Sequence, residues 1–294
     1  MNNDQVSVLN TNKLKKKNQL PDKTTILIPC FNTESLDFIL YYALPVAKQF
    51  NASLSFLFMG DEYGFESFKK ELHKFFPNFL KNNECSLYHF STQYKYAPVM
   101  EKNQQDEEAI MVIFPRMPSG NFLFFRQLAF MLKVKKLCLP YMILQPPVNY
   151  DIKWAPQNII MPIGYRRTDK DTAVWASYFK RFGNSNITIL YAKENDIISQ
   201  KEIKNNLKFI KNMYNKLNIS ANIVSAKTNS GKLQFEAVNL AQEMKNSLVI
   251  ITSTKYYGIE HYFLGPMELQ TIKNPQKIPI LCINSRKDLY VLCK

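Results

Sequence analysis

Two hydrophobic rhythms alternate along this chain, and the whole alternation occurs twice. In the second half Ile159–Ile163 is a continuous apolar run of strand length. Asp169–Phe182 then sets Ala173, Ala176 and Phe179 at helical spacing, with Thr168 or Asp169 as cap and Gly183 as stop. Ile187–Tyr191 is β-branched and apolar, a second strand. From Asp196 to Leu217 the stripe Ile203, Leu207, Ile210, Tyr214 and Leu217 lies opposite Lys201, Lys204, Lys208 and Lys211, the pattern of an amphipathic helix. Ile219–Ala226 alternates as a strand does. Asn229 or Ser230 caps a helix through Phe235, Val238, Leu240, Ala241 and Met244. Leu248–Ile251 is a buried strand, Ile259–Ile272 a further helix and Ile278–Ile283 the last strand.

The first half repeats this order with a worn middle. Strands are expected at Ile26–Pro29, Leu54–Phe58, Ser86–Phe90, Ile110–Phe114 and Leu137–Leu144. Helices are expected at Ser35–Phe50, Phe65–Lys81, Pro98 to about Glu108, and Asn121–Leu132. The last of these carries Phe122, Phe124, Phe125 and Phe130 around much of its circumference, as a helix buried between halves or at a partner interface does. The prolines Pro29 and Pro162, and again Pro140 and Pro279, are offset by nearly the same interval. That interval far exceeds the ~20–50 residues of a solenoid unit, so it marks a duplicated domain.

Strands alternating with helices, the strands apolar throughout, predict α/β architecture: two tandem open parallel five-stranded sheets with helices on both faces. Residues 1–22 read as a disordered polar leader, 23–148 as the first domain, 149–156 as a linker, 157–286 as the second domain and 287–294 as a tail. The 294 residues, 46% of them hydrophobic, suffice for two cores. No apolar run approaches the ~18–20 residues of a membrane span, so no membrane partner is expected. The five cysteines (Cys30, Cys85, Cys138, Cys282 and Cys293) form no C-x-x-C pair and read as reduced structural thiols of a cytoplasmic protein. His73, His89 and His261 are too scattered to suggest a zinc site or a triad, and no metal is expected. Most of the net charge of +14 lies after Tyr150. It is mainly lysine without a nucleic-acid motif, so a solvated helix face is expected over a basic surface for nucleic acid or anionic membrane.

Residue by residue, the second half resembles the universal stress protein family, and the first half does so more weakly. Ile159-Ile160-Met161-Pro162 matches the family's opening I-L-V-P strand, and Ala173 to Phe182 its alanine-containing first helix. Leu248–Ser253 stands at D-L-I-V-M-G-S, Gly258–Ile272 at G-L-S-R-L-L-L-G-S-V, and Pro279-Ile280-Leu281 at the closing P-V-L-V strand. The resemblance implies the adenine nucleotide alpha hydrolase-like fold. It also implies an internal pseudo-dimer of the two domains through their last strands, with a homodimer and an unidentified protein partner as further possibilities.

ATP-binding members carry an aspartate after the first strand and a Gly-x-x-Gly followed nine residues later by Gly-Ser or Gly-Thr. Glycines there let backbone N–H groups approach phosphates. Here the aspartate position falls on Phe31 in the first half and on Gly164 in the second. The second half's glycine positions fall on Thr252, Lys255 and Gly265, with Pro266 in place of the hydroxyl. The first half's loop, Pro115-Arg116-Met117-Pro118-Ser119-Gly120, places prolines where donors are needed. The expectation is therefore a non-enzymatic stress-response or regulatory protein with no catalytic residues and no ATP or other cofactor. The competing reading keeps a phosphate ligand in the second half, as a nucleotide sensor or weak nucleotide hydrolase. Gly164, Arg166, Arg167, Thr252, Ser253, Lys255 and Gly265 would lie there at the carboxyl ends of the strands, where open parallel sheets hold ligands.

Overall fold

A computed structural model describes residues 24–30, 36–58, 62–75, 85–89, 109–115, 139–147, 154–253 and 267–284. The expected leader, the C-terminal tail, the phenylalanine-rich helix at Asn121–Leu132 and the short helix after Pro98 fall outside them. In the first half β1 (Thr24–Cys30), α1 (Leu36–Phe50), β2 (Ala52–Phe58), α2 (Glu62–Phe75), β3 (Cys85–His89), β4 (Ala109–Pro115) and β5 (Tyr141–Leu144) follow in order. In the second, β6 (Asn158–Ile163) leads through a 3-10 turn at Asp169–Asp171 into α3 (Thr172–Gly183). Then come β7 (Asn186–Tyr191), α4 (Ile197–Lys216), β8 (Asn222–Ser225), α5 (Leu233–Gln242), β9 (Ser247–Thr252), α6 (Met267–Ile272) and β10 (Ile280–Ile283).

The two expected sheets are halves of one. Ten strands run in the order β3-β2-β1-β4-β5-β10-β9-β6-β7-β8, so each half has the same internal order. Within each half neighbouring strands are parallel. The halves meet where β5 and β10 pair antiparallel, with Ile280 opposite Ile143, Leu281 opposite Met142 and Cys282 opposite Tyr141. Every residue of these two strands is buried, as a central strand covered on both faces requires.

Alternation along the strands sorts the core into two layers. Ile26, Ile28, Ile159, Met161, Leu281 and Ile283 pack on the face covered by α1, α3 and α4. Leu27, Ile160, Val249, Ile251, Ile280 and Cys282 pack on the opposite face, under α5 and the end of α6. Cys30 and Cys282 are buried and not in disulfides; they fill space as small hydrophobes do.

Contacts across the halves reinforce the seam on both faces. On one, Phe50 of α1 meets Phe179 edge-on at 5.1 Å, with Trp175 at 6.2 Å and Phe182 at 5.8 Å, all from α3. The Gln49 amide donates to the Phe179 carbonyl at 2.9 Å. A side chain at Gly183 would meet the Gln49 amide, so this glycine leaves room for the amide that bonds the Phe179 carbonyl. It does not stop the helix, as the sequence had suggested. Tyr42 packs edge-on against Trp154 at 4.9 Å. Gln145, just after β5, donates to the carbonyls of Ile272 and Asn274 at 2.8 and 3.0 Å.

Helix ends are set by asparagine. Asn51, Asn184 and Asn218 follow α1, α3 and α4 with φ of 49°, 54° and 53°, and Asn246 takes φ of 51° in the turn between α5 and β9. In this left-handed conformation asparagine is the usual substitute for glycine. Asn184 closes α3 by donating to Lys180 and Phe179. Neither Thr168 nor Asp169 caps α3 with its side chain: the position before the helix is Asp171, without a side-chain bond. Nor do Asn229 and Ser230 begin α5, which starts after Lys232. The cap of α4 is Asp196, accepting from the Ser199 N–H at 2.7 Å.

Because Phe50 is 3% exposed and its ring meets three aromatic rings of the opposite half's helix, Phe50→Ala is expected to cost about 3–5 kcal/mol. Urea denaturation followed by far-ultraviolet circular dichroism measures this. A loss below about 1 kcal/mol would show that the α1–α3 contact contributes little.

Candidate functional site

The carboxyl ends of β6, β7, β8 and β9 form the rim where this sheet order would hold a ligand. Gly164, directly after β6, is buried. Its N–H donates at 2.9 Å to the carboxylate of Asp169, which the 3-10 turn swings back over the strand end. A Cβ at Gly164 would lie 2.8 Å from Ser230 Oγ and 2.9 Å from Asp169 Oδ2. The space a side chain would take is therefore already filled. Asn206, buried in α4, donates to the carbonyls of Gly164 and Arg166 at 3.0 and 2.9 Å, fixing the turn from below.

Two further carboxylates do the same on the neighbouring loops. Glu194, after β7, accepts from the Ser230 N–H at 2.8 Å. Glu236, on α5, accepts from the N–H groups of Lys227 and Thr228 at 2.8 and 3.0 Å and from the Thr228 hydroxyl at 2.6 Å. Burial opposes the ionisation of Glu236, but these hydrogen bonds outweigh it and hold its pKa below the usual carboxylate value. Backbone N–H groups on successive strand-end loops are the donors an anion would need. Here the chain's own acids accept from them.

The residues singled out in the sequence are placed as follows. Arg166 Nε is 3.6 Å from Asp169 Oδ1, and Arg167 Nε is 3.6 Å from Glu202 Oε2 while remaining 81% exposed. The Thr252 hydroxyl donates to the Thr168 carbonyl at 3.3 Å. Ser253 points to the seam instead. Its hydroxyl donates to Asn284 at 2.6 Å, and the Asn284 amide donates onward to the Leu139 carbonyl of the first half. The structure thus gathers Gly164, Arg166 and Thr252 around Asp169 and leaves Ser253 apart from them. Lys255, Gly265, Phe31 and the loop at 116–120 lie outside the described residues. Missed in the sequence were Asp169 as an acceptor, Glu194 and Glu236. Each bonds a backbone donor that composition and periodicity do not reveal.

Asp169 is 5% exposed. Burial pushes its carboxyl up to about 6 from 3.8. The Arg166 guanidinium, the Gly164 N–H and the Thr252 hydroxyl pull it down, and Asp171 pushes it up slightly. On the opposite face α5 leaves part of β7 and β8 uncovered. There an open groove of about 670 Å³ has Leu190, Val224, Phe235 and Leu240 among its walls, with Lys232 and Glu243 at its rim. Among the described residues no cluster of three or more His, Cys, Asp or Glu side chains could hold a metal.

The overall shape has known counterparts. A universal stress protein from Archaeoglobus fulgidus superposes with a TM-score of 0.58 at 11% identity, over 90% of this chain and 97% of that one. The chain has the universal stress protein fold. A functionally uncharacterised protein from Pseudomonas aeruginosa matches it at 0.55 and 11% identity, over 89% of this chain and 92% of its own. So does the cytoplasmic domain of a prokaryotic cation chloride cotransporter, at 0.55 and 12%, over 92% of this chain and 99% of that domain. No protein-family model matches the sequence, and neither does any curated protein. Among the described residues no helix is long and apolar enough to cross a membrane.

The raised Asp169 pKa has a definite sign. The folded protein binds this proton more tightly than the unfolded chain does. The group's contribution is therefore most favourable below pH 4 and is lost as pH rises through about 6. At about 1.4 kcal/mol per pKa unit, the charged form costs about 2–3 kcal/mol at neutral pH. Asp169→Asn, which cannot ionise, should gain about that much relative to the parent protein between pH 4 and pH 7. A stability difference independent of pH over this range would contradict the account.

Proposed function

We propose that this is a non-enzymatic, universal stress protein-like regulatory protein of two paired α/β halves that works without bound ATP. The observation that carries the reading is the set of internal carboxylates at the strand ends. Asp169, Glu194 and Glu236 already accept from backbone N–H groups of two strand-end loops, those after β6 and β8. A phosphate entering here would meet anionic oxygens where a binding loop presents donors, and like charges at hydrogen-bond range repel strongly in a partly buried site. The filled space at Gly164 supports the same reading, because the family's aspartate position has no side chain and the Asp169 and Ser230 side chains occupy the place of one. In the phosphate-sensor alternative Arg166 and Arg167 would serve an anion while each lies 3.6 Å from a carboxylate, Asp169 and Glu202, that offsets its charge. Regulation by contact with another protein fits a fold that retains its self-pairing strands while its ligand loops are closed from within.

Native mass spectrometry of the freshly purified chain tests this proposal. The expected spectrum shows the bare polypeptide, and calorimetric titration with magnesium-ATP shows no saturable heat at micromolar concentrations. A stoichiometric adenine nucleotide, or micromolar ATP binding that weakens together in Arg166→Ala and Arg167→Ala, would overturn it.

A further inference from the structure

We propose that the outward face of α4 docks on a membrane surface rich in anionic phospholipid. Lys201, Lys204, Lys208 and Lys211 recur at intervals of three and four, so they form one row along the helix. All four are exposed, whereas Ile203, Asn206, Ile210 and Tyr214 on the opposite side are buried. The row continues at its N-terminal end into Ile197, which lies on the same line at a spacing of four. Ile197 is 81% exposed, and its neighbour Ile198 is 77% exposed.

Like charges at this spacing repel and weaken a helix. Among the described residues no ion pair relieves the four lysines, since Glu202 of the same helix turns to Arg167. Lys170, 4.6 Å above the Phe209 ring, adds positive charge along one flank of the helix, where Arg167 and Glu202 offset each other. The row and the two isoleucines thus stand as a basic surface with an apolar end, the combination that binds peripheral helices to anionic bilayers.

The composition selects among anionic partners. Protein interfaces exclude lysine from their centres, and here lysine is the centre. Lysine is also a compact point charge, suited to a diffuse layer of headgroups more than to forked recognition of individual bases or phosphates. Nucleic acid would leave Ile197 and Ile198 without a role, whereas the boundary between headgroups and acyl chains accommodates both. The expectation of no membrane partner rested on the lack of a spanning segment and on reading the lysines as a solvated face; surface docking needs no span, and the exposed Ile197 and Ile198 at the end of the row favour it over a merely solvated face.

Co-sedimentation of the full chain with vesicles tests the proposal, using phosphatidylcholine alone or with about one-third phosphatidylserine. Binding is expected only to the serine-containing vesicles and should fall as salt is raised. Replacing all four lysines with glutamine should weaken it about a hundredfold or more, at about fivefold per charge. Replacing Lys227, Lys232, Lys245 and Lys273, which lie around α5 and α6, removes the same net charge and should leave binding nearly intact. Ile197→Ser with Ile198→Ser should weaken vesicle binding several-fold without altering the circular dichroism spectrum. The proposal is overturned by equal binding to both vesicle types, by no binding, or by equal effects of the two lysine sets. It is also overturned if DNA or RNA is retained through the α4 lysines while vesicles are not.

Discussion

The structure depends on the antiparallel pairing of β5 with β10. Each strand is apolar on both faces and short, so alone it would be an exposed edge that invites aggregation. Pairing makes them the two central strands of a ten-stranded sheet. Burial of α1 against α3 and the bonds from Gln145 and Asn284 all follow from that one register. The remaining edges are β3 and β8, at the far ends. β8 is only four residues long, a length that limits further strand addition.

Antiparallel joining also decides where ligand loops can be. Strands within a half are parallel, so the carboxyl ends of the first half point one way along the sheet and those of the second the other way. The two candidate crevices lie at opposite ends and cannot share a ligand. Each half must complete a site by itself. In the second half the completing groups come from the chain. Asp169, Glu194 and Glu236 hold the loops by the backbone donors that a ligand would otherwise have used, which gives the loops order at the expense of an anion site. Asp169 bears an electrostatic cost in this arrangement, because it is buried deeply enough for desolvation to outweigh its hydrogen bonds and the Arg166 charge.

The order of elements was legible because buried strands and amphipathic helices write their periods directly into the sequence. Ile159–Ile163, Ile187–Tyr191 and Leu248–Ile251 were readable as strands for that reason, as was the lysine-and-isoleucine pattern of α4. The ends of α1, α3 and α4 fall within a residue of the expected Phe50, Phe182 and Leu217, but the residues that terminate them were not legible: the one stop sought, Gly183, is followed by a left-handed Asn184. The α/β class was readable, but the merging of two sheets into one depends on which strand edges meet, and the resemblance to a known family supplied that. The site was the least legible part. Asn206 reaches Gly164 and Arg166 across some forty residues, and Glu236 reaches the loop before its own helix. Nothing in local spacing announces such bonds. Ser253 shows the converse: a hydroxyl at a strand end, in the expected place for a ligand, is used to tie the halves together.

The chain's two tryptophans provide the most direct test of the seam. Trp175 of α3 rests on Phe50 of α1 and reports the contact between the halves, while Trp154, in the segment leading into β6, rests on Tyr42 of α1. Circular dichroism reports the helices and strands of both halves together. In an equilibrium urea titration, tryptophan fluorescence and far-ultraviolet circular dichroism should change in one coincident transition. A fluorescence transition that precedes loss of the circular dichroism signal would mean that the halves part while still folded, and would contradict the claim that β5 and β10 make them one unit.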